Sequence, residues 1–573
     1  MLAGCFTVVS FNLIQIQLVQ HAKYWRMAVE NHTHPESIPA RRATIYDADG
    51  NILAQTQRLY DIRLDGQTLK QPDANLPRIA DAIGVSVQSL AATFTTKNRY
   101  QLIAHDVDDG VVAKLAALKL DAIITESHDR RIYPNNELAA HILGFVDDTG
   151  HGVAGIEKEE DKLLAGTPGE RLVERDGKKH NIALYAGRET PAVDGSNVTL
   201  TIRMAIQHVV EDQLDQIAQT YQPNAAYIIV MDPQTGEIVA MGSRPNYDPN
   251  NRAAFTPEKI RNRCITDPVE PGSIFKIITL AGAINEGLIN LNTQIFCENG
   301  EFAYGGRILH DDDEHHAWLP VYEVMSQSSN IGFAKIALEY LHEQKLYQYA
   351  TEFGMGQRTG LFEGQGESPG LLRPVNKWSA LSITRVPMGQ EVLATPVQLV
   401  TAMSVIANGG KLMEPQLTRQ IVDEDGHVVK SFQPHVVRRV ISADAARQVA
   451  RALEQVTIDG TAKGVKIFDA TGAGLTFAGK TGTAQKWING EYSHDHHVSS
   501  FIGFAPAVDP AFVALVMVDD PKTAPHKDYG ATVSAPVFAN LARQIAQIEN
   551  IPMDIPAPTP APALGSMPAQ AHL

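Results

Sequence analysis

"VEPGSIFKIITLAG" occupies residues 269–282 and holds a serine and a lysine three positions apart, Ser273 and Lys276. The segment reads as a helix that starts after Pro271-Gly272. Residues three apart share one helix face, so the Lys276 amine can approach the Ser273 hydroxyl. A serine hydroxyl is a weak nucleophile until a base takes its proton. Lysine serves as that base only where burial or a second cation lowers its pKa. The open N–H groups of a helix start suit a developing oxyanion. Ser-x-x-Lys is nevertheless short, and about one occurrence is expected by chance in a chain of this length. Alone it reads as two polar residues on an ordinary helix.

Two further elements follow in order. "SQSSNIGFAKIALEYL" (326–341) opens an apolar helix with Ser328-Ser329-Asn330. Ser328 is placed to relay a proton between lysine and leaving group, and Asn330 to hold a substrate amide. The plainer reading makes Ser328 a helix cap. "FAGKTGTAQ" (477–485) carries Lys480-Thr481-Gly482-Thr483 on a predicted strand. Thr481 and Thr483 share one strand face, where their hydroxyls could bind a carboxylate. Gly482 removes a side chain where a substrate backbone could approach an edge strand. Lys480 offers the second cation for Lys276, although strand alternation starts it on the face opposite the threonines. The plainer reading is a strand with a glycine bulge.

Each motif is weak, but Ser-x-x-Lys, Ser-x-Asn and Lys-Thr-Gly in this order form the arrangement of penicillin-binding proteins and serine β-lactamases. The resemblance extends further. "RNRCITDPVEPGSIFK" (261–276), "ILHDDDEHHAWLPVYEVMSQSSNIGFAKIA" (308–337) and "MGQEVLATPVQLVTAMSVIANGG" (388–410) resemble class B penicillin-binding proteins. "YSHDHHVSSFIGFAPAVDPAFVALVMVDDP" (492–521) and "YGATVSAPVFANL" (529–541) look most like the division-specific branch. "RRATIYDADGNILA" (41–54), "RRIYPNNELAAHILGFV" (130–146) and "GVAGIEKEEDKLLAG" (152–166) resemble the N-terminal pedestal of that class. The match runs from about Arg41 to about Leu541.

The resemblance implies a peptidoglycan DD-transpeptidase of septal wall synthesis. Ser273 would attack the D-Ala–D-Ala carbonyl of a stem peptide, with Lys276, Ser328, Asn330 and Lys480 as catalytic partners. Backbone N–H groups of Ser273 and Thr483 would form the oxyanion hole. Asn330, Thr481, Gly482 and Thr483 would bind the donor. β-Lactams would acylate Ser273, and no metal or cofactor is implied. Implied partners are a SEDS-family membrane glycosyltransferase and other division proteins, at the periplasmic face of the inner membrane. Ile274 departs from a frequent threonine, and "YGA" (529–531) replaces a common double glycine, which questions the freedom of that loop. The resemblance implies the monofunctional class, in which no glycosyltransferase module is expected ahead of the pedestal. Two alternatives remain: a catalytically idle division scaffold, and an acyl-serine hydrolase (β-lactamase or DD-carboxypeptidase).

The expected fold is α+β: a mixed pedestal at 35–196, then a transpeptidase domain at 197–548, an antiparallel sheet flanked by helices with an all-helical subdomain. "NVTLTI" opens the second domain, followed by an amphipathic helix with Ile206, Val210 and Leu214, and by the hairpin "AAYIIVMDPQTGEIVAMGS". Residues 1–22 are expected to be a membrane anchor, shortened at its front, because Met1–Gln20 contains no charged side chain. "LAGC" (2–5) lacks the preceding apolar stretch that lipidation requires. Residues 549–573, rich in Pro and Ala, are expected to form a disordered tail.

A net charge of −16 argues against a general nucleic-acid binder, which needs a basic footprint. Three cysteines make no disulfide scaffold, and Cys264 and Cys297 read as buried free thiols. "HDDDEHH" (310–316) and "HDHH" (494–497) have the density of metal sites. Both read as solvated, partly hydrogen-bonded loops, and Asp519-Asp520 as a loop charge pair.

Overall fold

The computed structural model describes residues 2–175, 181–311, 316–488, 490–524 and 527–557. A five-stranded antiparallel sheet runs in the order Ile238–Arg244, Ala225–Met231, Phe512–Asp519, Glu491–Ala505, Ala478–Ile488. Helices Met204–Tyr221 and Ser534–Ile548 pack together against this sheet, and helix Pro396–Ala407 also lies on its strands. All seven residues of Ala225–Met231 are buried. A one-sided sheet would alternate apolar and polar residues; a strand covered on both faces reads as a continuous apolar run. The predicted hairpin and amphipathic helix are present, and Ile206, Val210 and Leu214 are buried.

Ala478–Ile488 is the edge of this sheet, paired only with Glu491–Ala505. Its far side faces the turn Gly272–Phe275 that carries Ser273. Helix Lys276–Asn285 follows, with every residue from Lys276 to Ile284 buried, beside the helix Ala443–Ile458. This all-helical region and the sheet edge bracket the site.

The pedestal is not a separate body. A mixed sheet runs Val428–Ser431, Thr418–Val422, Asn197–Leu200, Ile45–Tyr46, Ile52–Leu64, Gln101–Val107, with Ile123–Ile132 also on Ile52–Leu64. Asn197–Leu200 pairs parallel with Ile45–Tyr46 and antiparallel with Thr418–Val422, which joins the two predicted domains through one ladder. The lobe around Ile62, Ile79, Leu90 and Leu115 has its own core. Ile45, Leu53, Ile142, Ile156 and Leu164 belong to the main core.

The double arginines of "RRATIYD" and "RRIYP" converge on one acid. Glu157, fully buried, accepts from Arg42 Nε and from Arg131 Nε, each at 2.7 Å. Arg42 also reaches Asp161 at 2.7 Å. A buried carboxylate is tolerated only when paired and hydrogen-bonded in this way.

Residues Leu2–Ile14 and His21–His32 are helical, joined through a π turn at Gln15–Val19. Phe6, Val9, Phe11 and Leu18 on this arm are exposed. Among the described residues, no helix is long and apolar enough to cross a membrane. At the other end, the expected tail does not start at Glu549. Gly474 and Ile555 exchange two backbone hydrogen bonds, and Asp554 accepts from Thr476 N at 2.7 Å. Backbone pairing outweighs composition there; residues 558–573 lie outside the described residues.

Candidate active site

Gly272 has φ +54, a left-handed conformation that glycine adopts without strain, and it turns the chain into the Ser273 segment. Ser273 lies on a 3-10 turn, and Lys276 is the first residue of the following α-helix. The Lys276 side chain is fully buried. Its amine donates to Ser328 O at 2.7 Å, to Ser328 Oγ at 3.1 Å and to Asn330 Oδ1 at 2.7 Å. It lies 5.7 Å from the centre of the Phe333 ring. The Ser328 hydroxyl donates to Ser273 Oγ at 3.2 Å. Four residues from two sequence motifs therefore form one hydrogen-bonded chain.

The helix cap is Ser329, not Ser328. Ser329 Oγ accepts from Gly332 N at 2.9 Å, the usual N-cap bond. Ser328 is left to point at Ser273, with φ +59. A non-glycine residue in this region is strained, and such strain gathers at functional sites.

Two residues missed by sequence reasoning hold this geometry. Asp311 accepts from Ser329 Oγ at 2.6 Å and from Ile331 N at 3.0 Å. His310 O accepts from Asn330 Nδ2 at 3.2 Å. The hydrogen bonds expected at the start of "HDDDEHH" go to the Ser-x-Asn turn and clamp it; residues 312–315 lie outside the described residues. Thr461 Oγ1 sits 2.7 Å from Thr481 Oγ1. The only sequence signal for Thr461 is a hydroxyl in the glycine-flanked turn "DGTAKG" (459–464).

On the edge strand, the Lys480 amine donates to Thr481 O at 3.0 Å and to Thr481 Oγ1 at 3.4 Å. The long side chain thus returns to the threonine hydroxyl in spite of strand alternation. Thr483 Oγ1 accepts from Gly530 N at 3.1 Å. Gly482 does not open the strand to an incoming chain. A Cβ there would lie 2.3 Å from Ser500 Oγ and 3.2 Å from the Ile274 side chain. The missing side chain makes room for the protein's own packing, not for an incoming backbone. Gly530 is just as constrained, since a Cβ would lie 2.4 Å from Ser500 O and 2.5 Å from Gly482 O. In "YGA" the close approach is met by this one glycine.

A cavity of about 540 Å³ opens further along the edge strand, beside Ala484, Gln485 and Trp487. Glu270 and Arg385 line it too. Burial raises the Glu270 carboxyl above its ordinary range, against hydrogen bonds from Glu391 N and Tyr492 OH, both at 3.0 Å.

The other clusters disperse. His496 pairs with Asp520 at 2.8 Å and His497 with Asp528 at 2.5 Å. Asp519 takes Lys486 at 2.6 Å, so Asp519-Asp520 is a pair of ion-paired carboxylates. Cys264 and Cys297 are free and buried.

The family described as penicillin binding protein transpeptidase domain matches residues 226–543, and the penicillin-binding protein dimerisation domain matches residues 37–200. Stage V sporulation protein D of Bacillus subtilis is 31% identical over 94% of this chain and 83% of its own length. Peptidoglycan D,D-transpeptidase FtsI of Escherichia coli is 31% identical over 83% of this chain and 77% of its own. Among solved structures, penicillin-binding protein 3 of Mycobacterium tuberculosis complexed with aztreonam superposes with a TM-score of 0.69 at 27% identity, over 91% of this chain and 99% of that one. With the transpeptidase and dimerisation domains both present, and a buried lysine joined to two serines at the sheet edge, the chain belongs to the class B penicillin-binding proteins.

Proposed function

We propose that the protein is a serine D,D-transpeptidase that cross-links peptidoglycan stem peptides during septal wall synthesis. The hydrogen-bonded chain from Ser273 through Ser328 to Lys276 carries this reading. The amine donates three bonds here, as an ammonium does; burial disfavours that charge, and loss of one proton leaves the neutral amine that takes the proton of Ser273. Ser273 Oγ bonds to the penultimate D-Ala carbonyl carbon as its proton passes to Lys276, directly or through Ser328. The C–N bond to the terminal D-Ala then breaks, and the proton leaves on that amine. A neighbouring stem-peptide amine attacks the ester, forms the new amide and returns the proton to Ser273.

Backbone N–H groups of Ser273 and Thr483 stabilise the oxyanion, Asn330 orients the donor amide, and Thr481 and Thr483 hold its carboxylate near Lys480. A β-lactam follows the same first step, with its ring amide as the leaving nitrogen. The apolar arm at 1–22 anchors the chain at the inner membrane with the catalytic domain outside, beside a membrane glycosyltransferase of the division machinery. The intact proton chain favours catalysis over an idle scaffold. Fluorescent penicillin tests this: the wild type takes one covalent label and Ser273→Ala takes none. A label that survives in Ser273→Ala overturns the reading.

A further inference from the structure

On the outer face of the pedestal lobe, three strands bring together two histidines and two aspartates. Strand Ile52–Leu64 pairs with Gln101–Val107 and with Ile123–Ile132. Tyr60 faces Val107 and Ile62 faces Ala104, so two residues, His105 and Asp106, stand opposite Asp61 alone. This is a β-bulge, and a bulge re-aims side chains. Ile62, Ala104 and Val107 pack in the lobe's core. His105 and Asp106, adjacent in sequence, both turn to the Asp61 face. Asp106 has φ +55. His128, opposite Leu59 on the third strand, completes the group.

One ligand atom from each of Asp61, His105, Asp106 and His128 lies within 4.8 Å of all the others. His128 Nε2 is 2.8 Å from Asp106 Oδ1, and His105 Nε2 is 3.6 Å from Asp106 Oδ2. His128 Nδ1 is 3.9 Å from Asp61 Oδ1, which His105 Nδ1 also contacts. The two rings stack at 5.6 Å. Bonds of about 2.0–2.1 Å in a tetrahedral zinc site put ligand atoms roughly 3.3 Å apart, and a set of one atom per residue lying within 4.8 Å needs only small side-chain rotations to reach that spacing. Two imidazoles with two carboxylates make a borderline N2O2 set suited to zinc. Arg130 contacts Asp106 Oδ2, where it can hold the carboxylate from outside while Oδ1 faces the ion. His105 is 62% exposed on its side chain, which leaves an entry path.

We propose that Asp61, His105, Asp106 and His128 form a divalent metal site, with zinc as the fitting ion, that clamps the three strands of the pedestal lobe. The site stands apart from the acyl-transfer chemistry, since none of its ligands lies on the elements that carry Ser273, Ser328 or Lys480.

Cobalt(II) is the probe, added to chelator-stripped full-length protein. The expected result is one equivalent bound with visible d–d bands of tetrahedral cobalt, displaced by zinc. His105→Gln/His128→Gln should lose that equivalent while circular dichroism stays unchanged. No d–d spectrum in the wild type overturns the proposal, as does an unchanged spectrum and stoichiometry in the double variant, which would place the metal on other histidines. Should the double variant not fold, Asp61→Asn decides: at least tenfold weaker cobalt binding supports the site, and unchanged binding overturns it.

Discussion

The Ser328 hydroxyl donates to the Ser273 hydroxyl at 3.2 Å, and the same oxygen accepts from Lys276 at 3.1 Å. Ser328→Ala removes this relay. General acid–base groups contribute about 10²- to 10⁴-fold, so penicillin acylation should slow within that range. Because Ser328 has φ +59, an alanine there keeps the left-handed strain, about 1–2 kcal/mol, that a glycine would not. Ser328→Gly should be equally slow in acylation yet melt at a higher temperature than Ser328→Ala. Equal acylation rates in wild type and both variants would remove Ser328 from the proton path.

Asp311 acts through Ser329 and Ile331, as a positioning residue. Asp311→Ala should slow acylation by about 10- to 100-fold, the scale of a small misplacement of reacting groups. Asp311→Asn retains an acceptor for Ile331 N and should recover part of the loss. Stopped-flow acylation separates this from a global effect, because the far-UV spectrum should not change.

Glu157 gathers Arg42 and Arg131 in the interior. Glu157→Ala leaves Arg131 with neutral partners only, Ala43 O and Thr56 Oγ1. Breaking a buried pair from one side costs about 3–5 kcal/mol. Denaturant unfolding should show a destabilisation of that size. The proposed acylation site at Ser273 lies elsewhere, so folded Glu157→Ala should still label with penicillin.

His141, at the contact between the two domains, places Nε2 2.7 Å from Lys259 O and its ring against Tyr247. Burial lowers its pKa to about 4, with Arg244 and Arg263 adding to the effect. The unfolded chain titrates near 6.5, so between about 6.5 and 4 the unfolded state holds the extra proton. Stability from this group is complete above about pH 6.5 and is lost as pH falls to about 4. The total is about 3 kcal/mol, at about 1.4 kcal/mol per unit. Melting temperatures of His141→Gln should fall less steeply across this window than those of the wild type. Parallel curves would discount His141 as the titrating group.

Much of this was legible along the chain. The helix Met204–Tyr221 and the hairpin Ala225–Arg244 follow from periodicity and from the turn at Asp232–Gly236. The three motifs fall on the elements their residues predict, because each motif is local to one helix start or one strand. Less was legible where two elements meet. Ser328 and Ser329 are neighbours with the same chemistry, and only the packed turn makes one a cap and the other a partner of Ser273. Gly482 looked open to a ligand until Ser500 and Ile274 filled its side-chain space.

The sequence by itself determined the candidate groups, Ser273, Lys276, Ser328, Asn330 and the Lys480–Thr483 strand, and the order in which the elements carry them. Side-chain periodicity within a helix or strand settles which residues share a face. Tertiary structure decided what each face meets. It joined Asn197–Leu200 to Ile45–Tyr46 and so merged the pedestal with the transpeptidase core. It sent Asp311 to Ser329 and dispersed the dense histidine run at 494–497. It also drew Asp61, His105, Asp106 and His128 together through one bulge. The physical reason is the same in each case: register and packing between distant segments set these contacts, and no local spacing encodes them.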